Sequence, residues 1–121
     1  MEIRVYYEDT DAGGIVYHTN YLKFCERARS EIFFERGLKP FDEESAGFVV
    51  KSLKADFLGS ARLGDVLKVT TEVIKLNRAS LELEQKIFLK DKAIFEMRVT
   101  LAYVKNLKVA KIPEEFLELF S

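Results

Sequence analysis

The run Tyr6-Tyr7-Glu8-Asp9-Thr10-Asp11-Ala12-Gly13-Gly14-Ile15-Val16-Tyr17-His18-Thr19-Asn20-Tyr21 gathers most of the residue types in this chain that can do chemistry. Two carboxylates, Asp9 and Asp11, stand before paired glycines, and the single histidine, His18, follows Asp11 by seven positions. A carboxylate on such a turn can attack a carbonyl carbon or take a proton from water. If a helix opens just beyond it, unpaired backbone N–H groups and the positive end of the helix dipole face the same space. A carbonyl oxygen docked there is polarised, and an oxyanion forming on it is stabilised. Carboxylate plus helix start is a minimal acyl-transfer site. The plainer readings are a capping or solvated acidic turn, and a histidine that caps or packs.

The flanking pattern supplies such a helix. From about Thr19 to Arg36, residues Tyr21, Phe24, Cys25, Ala28, Ile32 and Phe33 recur at helical spacing and form one apolar stripe. Thr19 or Asn20 suits its start, while Gly37 and Pro40 suit its stop. Before the turn, Ile3, Val5 and Tyr7 alternate as a short strand. After a linker over Phe41–Gly47, four segments alternate with the period of strands. Their shared faces are Val49, Lys51, Leu53, Ala55, Phe57; then Leu67, Val69, Thr71, Val73; then Leu81, Leu83, Gln85, Ile87, Leu89; and finally Ala93, Phe95, Met97, Val99, Leu101, Tyr103. The connections Gly59–Asp65, Leu76–Ser80 and Lys90–Lys92 are short, which favours antiparallel neighbours. Pro113 is placed to open a terminal helix through Phe120. One long helix on a five-stranded antiparallel sheet is an α+β architecture. The last strand also carries Ile94, Ala102 and Val104 on its second face, a surplus that edge pairing with a second copy would use.

Bulk properties narrow the function. A chain of 121 residues suits one domain spanning 1–121. With 19 Lys and Arg against 20 Asp and Glu, it has no positive surplus for nucleic acid. One cysteine, Cys25, forms no internal disulfide, and with one histidine it makes no zinc-type set. Neither a metal nor a cofactor is expected. No signal-peptide pattern or membrane-length apolar run appears, so a soluble, cytoplasmic protein without membrane insertion is expected.

The stretch DTDAGGIVYHTNYLKFCERAR resembles the signature of the 4-hydroxybenzoyl-CoA thioesterase family, and is most similar to its YbgC-type acyl-CoA thioesterase branch. The likeness is densest from Arg4 to Gly37 and extends to Ala61-Arg62-Leu63-Gly64-Asp65 before the third strand. It implies the hotdog fold, in which a long helix lies across a curved antiparallel sheet and two subunits join edge to edge. It also implies hydrolysis of a small to medium acyl-CoA, with Asp11 as nucleophile or general base. Asp9 belongs to the motif, but Asp11 abuts the turn. The backbone N–H at His18 would polarise the thioester carbonyl, its imidazole helping to orient water or sulfur. Gly14, Ile15, Val16 and Tyr17 would line the substrate, Ser60 would contact it across the interface, and Arg62 and Arg78 would hold coenzyme A phosphates. Turn residues with no such role would look the same. The implied assembly is a homodimer, pairing again into a dimer of dimers.

Two other readings use the same residues. A binding module would hold acyl-CoA without cleaving it. A hydratase or dehydratase on the same fold would need its histidine and acid differently placed on the helix.

Overall fold

The structure, a computed structural model, describes residues 1–42 and 45–121. Positions 43–44, in the middle of the expected linker, lie outside the described residues. Strand β1 (Glu2–Arg4) is followed by a 3-10 turn (Tyr7–Asp9), helix α1 (His18–Phe34), and strands β2 (Ala46–Phe57), β3 (Val66–Leu76), β4 (Ser80–Leu89) and β5 (Lys92–Lys105). A two-residue strand β6 (Lys108–Val109) and helix α2 (Glu114–Phe120) complete the chain. All pairings are antiparallel, in the order β1-β3-β4-β5-β2, with β6 added beside β5. The long helix on its antiparallel sheet is the α+β hotdog arrangement that the sequence implied.

Helix α1 lays the expected stripe on the sheet. Tyr21, Phe24, Cys25, Ala28 and Phe33 are buried, and Ile32 packs at the margin. Tyr21 stacks on Phe95 of β5, and Phe33 meets Phe48, Phe116 and Phe120. Burying each such side chain contributes roughly 1.5–3 kcal/mol. Within this apolar layer, fully buried Gln85 donates to the Cys25 carbonyl (2.8 Å) and the Thr71 hydroxyl (3.1 Å) and accepts from Arg29 (3.4 Å). A buried amide is tolerated when its donors and acceptors are used in this way.

Several boundaries differ from the sequence expectation, each for a local reason. The first strand stops at Arg4, and Tyr7 lies exposed in the 3-10 turn, because the Tyr6 N–H bonds back to the Asp9 carboxylate. Neither Thr19 nor Asn20 caps α1. Tyr17 occupies the N-cap with no side-chain bond, and Asn20 is turned inward. The helix ends at Phe34, where Gly37 and Leu38 donate to the carbonyls of Phe34 and Phe33. In β2 a register shift between Val50 and Ser52 breaks the expected face. Phe48 and Val50 oppose Tyr103 and Leu101, and Leu53, Ala55 and Phe57 continue that row opposite Val99, Met97 and Phe95. Val49 and Lys51 are thus not part of it, since one extra residue moves everything beyond it to the other side.

The largest correction is topological. The brief connection after β2 does not join neighbours, because β5 and β4 lie between β2 and β3. Eight residues, 58–65, cross that gap. Three strand spacings are roughly 14 Å, well within the reach of an extended octapeptide at roughly 3.3 Å per residue. Nor is β5 an edge. It is central, with Ile94 and Ala102 already buried within the chain. Of the two edges, β1 has only three residues, while along β2 Val49, Val50, Leu53 and Phe57 stand exposed. No described helix is long and apolar enough to cross a membrane.

Candidate active site

The segment between the 3-10 turn and α1 folds into a tight hairpin. Tyr17 N–H donates to Asp9 C=O (2.9 Å), Thr10 bridges Val16, and Asp11 N–H donates to Ile15 C=O (2.9 Å). The turn closes through Gly14 N–H to Asp11 C=O (3.0 Å), with Gly14 at φ 82°, where a side chain would be strained. Asp11 is exposed at this tip. Its Oδ1 accepts from Gly13 N–H (2.8 Å) and Ile15 N–H (3.4 Å), and no bond falls on Oδ2 among the described residues. One oxygen is fixed and the other is presented. Asp11 and Gly14 line an open depression with Tyr7, Thr10, Ala12 and Leu63.

The return arm of the hairpin runs straight into the helix. Asn20 N–H closes on Tyr17 C=O (2.8 Å), and the first helical amides, those of His18 and Thr19, meet no acceptor among the described residues and face outward for one. His18 is exposed, with its ring against Tyr17 (4.5 Å between centroids) and edge-on to Phe57 (6.2 Å). Asp11 makes no bond to these amides, and its contacts lie within its own turn. Ile15 and Val16 sit in the arm between, half-buried and buried, and Tyr17 is exposed.

The crossing segment brings a second set of candidates to the hairpin. Ala61 C=O accepts from Val16 N–H (2.9 Å), Arg62 bridges Ile15, and Arg62 Nη1 lies 3.7 Å from where a Cβ on Gly14 would be. Ser60 and the Arg62 side chain are exposed beside this junction. Arg78 is not brought there. It sits between β3 and β4, while Arg62 precedes β3, so the length of β3, roughly 30 Å, separates them.

Sequence reasoning missed three supports. Asp9 is 3% exposed, with Asn20 Nδ2–H donating to Oδ1 (3.0 Å) and Tyr6 N–H to Oδ2 (2.8 Å). The Tyr21 hydroxyl accepts from Ala61 N–H (3.2 Å) and so ties the crossing segment to α1, and its burial pushes the phenol above its usual range. Phe57 ends β2 against the rings of His18, Tyr21 and Phe95. The signal for the first was a polar Asn beside the apolar stripe, since a buried amide demands a partner.

The sequence pattern of the thioesterase superfamily matches residues 13–95. An acyl-CoA thioesterase YbgC of Helicobacter pylori is 42% identical, the match covering 100% of this chain and 98% of that protein. Acyl-CoA thioesterase YbgC of Haemophilus influenzae is 40% identical, over 93% of this chain and 87% of its own. The crystal structure of a hypothetical protein from Aquifex aeolicus superposes with a TM-score of 0.93 at 28% identity, covering 100% of this chain and 98% of that one.

Proposed function

This chain belongs to the thioesterase superfamily, and from that premise we propose that it is an acyl-CoA thioesterase acting on small to medium acyl groups. Asp11 attacks the thioester carbonyl or activates water against it, and the amide at His18 polarises that carbonyl. The observation that carries this is the hairpin from Asp9 to Tyr17. It presents Asp11 Oδ2 unbonded at its tip and leads without interruption into a helix whose first amides are unused. Charge leaving the carbonyl carbon would fall on its oxygen, where those amides and the helix dipole stabilise it. Tyr17, His18 and Phe57 offer an aromatic wall for the acyl group, and Gly14, Ile15 and Val16 the backbone beside it. Arg62 and Ser60 flank the hairpin, where coenzyme A would approach. Arg78, at the far end of β3, can serve this site only from another subunit.

Two copies joined at their β2 edges would cover Val49, Val50, Leu53 and Phe57 and place the two Phe57–His18 walls beside the interface. Pairing of those dimers into a tetramer is the further step.

Thiol release from a panel of acyl-CoA esters tests the activity. Asp11→Asn keeps the shape of the turn but removes nucleophile and base, and should lower kcat by at least about a hundredfold. Near-normal turnover by that variant would remove Asp11 from the mechanism. Tight acyl-CoA binding with no thiol released would instead indicate a carrier.

A further inference from the structure

We propose that Asp9 is a positioning residue for this reaction. Through Asn20 it clamps the hairpin that carries Asp11 onto the first turn of α1, and so sets the attacking carboxylate against the helix-start amides. The inference rests on the hydrolase reading above and adds to it a residue that never touches substrate.

Asp9 ties the exit from β1 to the cap and the first turn of α1, adding side-chain bonds to the backbone bonds that close the hairpin. Its Oδ2 holds the Tyr6 N–H where the chain leaves β1, and its Oδ1 holds the Asn20 side chain in the first turn of α1. Its carbonyl holds the amide of Tyr17, the residue that caps α1. A carboxylate that is 3% exposed is costly to bury unless its oxygens are satisfied, and here the donors are two amides, with no cation within salt-bridge reach among the described residues. The nearby start of α1 supplies favourable potential. Hydrogen bonds to a charged acceptor are stronger than neutral ones, which suits a tie that must not give. Asp11 lies two residues along the same arm, so slack between Asp9 and Asn20 becomes displacement of Asp11 from the amides of His18 and Thr19. A misplacement of about 1 Å at a reacting group costs about a hundredfold in rate.

The test exchanges the partners. Asn20→Asp sets two carboxylates face to face and opens the clamp. In the double variant Asp9→Asn/Asn20→Asp, the new amide at position 9 can accept from Tyr6 N–H and donate to the new carboxylate at position 20. The single variant should lose about a hundredfold in kcat with KM changed by less than about threefold, because the groups that hold coenzyme A are elsewhere. The double variant should recover to within about threefold of the parent. Amide hydrogen exchange gives a readout independent of turnover. Tyr6 and Tyr17 should exchange at least about tenfold faster in the single variant and return to parent rates in the double, with β4 amides unchanged in both. Parent-like kcat or unchanged exchange in the single variant would overturn the clamp, as would a double variant no better than the single. A parent protein that releases no thiol from any acyl-CoA would instead sink the hydrolase reading, while the exchange rates would still decide the clamp.

Discussion

Asp11 gives Oδ1 to both turn amides and, among the described residues, carries no bond on Oδ2. Asp9, two positions earlier, spends both of its oxygens on structure. The sequence offered two carboxylates in one acidic turn and favoured Asp11 because it abuts the turn, while the bonds each receives show how differently the two are held. Cys25 gives a residue-scale prediction of another kind. It is fully buried against the sheet, and burial pushes its thiol from 9.0 up to about 12. The thiolate is the reactive form, so the native protein at pH 8 should scarcely react with a disulfide reagent, whereas protein unfolded in guanidinium should react at once. The thiol ionises more readily in the unfolded chain than in the fold. Its contribution to stability is therefore complete below pH 9 and is lost as pH rises towards 12. A Cys25→Ser variant should lose less stability than the parent across that interval. Rapid labelling of the native protein would contradict this placement.

At the scale of elements, the helix stripe and the alternating faces of β3 and β4 were legible, because burial of one face imposes a period on the side chains. What lay hidden were the interruptions. The shift after Val50 that returns Leu53 and Phe57 to the helix side has no mark in the sequence, since Val49 and Val50 are equally apolar. Strand β6 was invisible because two residues carry no period, and it follows a turn in which Asn106 and Leu107 both take positive φ. Gly47 shows how tightly the start of β2 is fitted. A Cβ there would lie 2.4 Å from both the Pro40 carbonyl oxygen and Phe41 Cα, which are backbone atoms. Gly47→Ala should cost about 1–3 kcal/mol in urea unfolding, through backbone displacement rather than loss of any contact. A variant as stable as the parent would mean that the Pro40–Phe41 segment yields freely.

At the scale of the whole molecule, β2 is the longer of the two sheet edges, with Val50, Leu53 and Phe57 48%, 44% and 52% exposed along it. Unpaired strand groups beside apolar side chains invite a second sheet. The protein should sediment as a dimer or larger at micromolar concentration, and Leu53→Asp should shift it to monomer with its circular dichroism unchanged. A parent that remains monomeric at about 100 µM would exclude the edge pairing, since a specific dimer holds at such concentrations. The sequence alone determined the acidic turn before the helix, the stripe that helix buries and the strand periods, because these follow from side-chain type and local spacing. Only the tertiary structure decided that β2 lies three strands from β3, that the segment between them carries Arg62 to the Asp11 hairpin while Arg78 stays at the far end, and that β2 lies at an edge of the sheet and β5 does not. Strand order is set by which faces and edges can be satisfied together across the sheet, and no local window of sequence contains that competition.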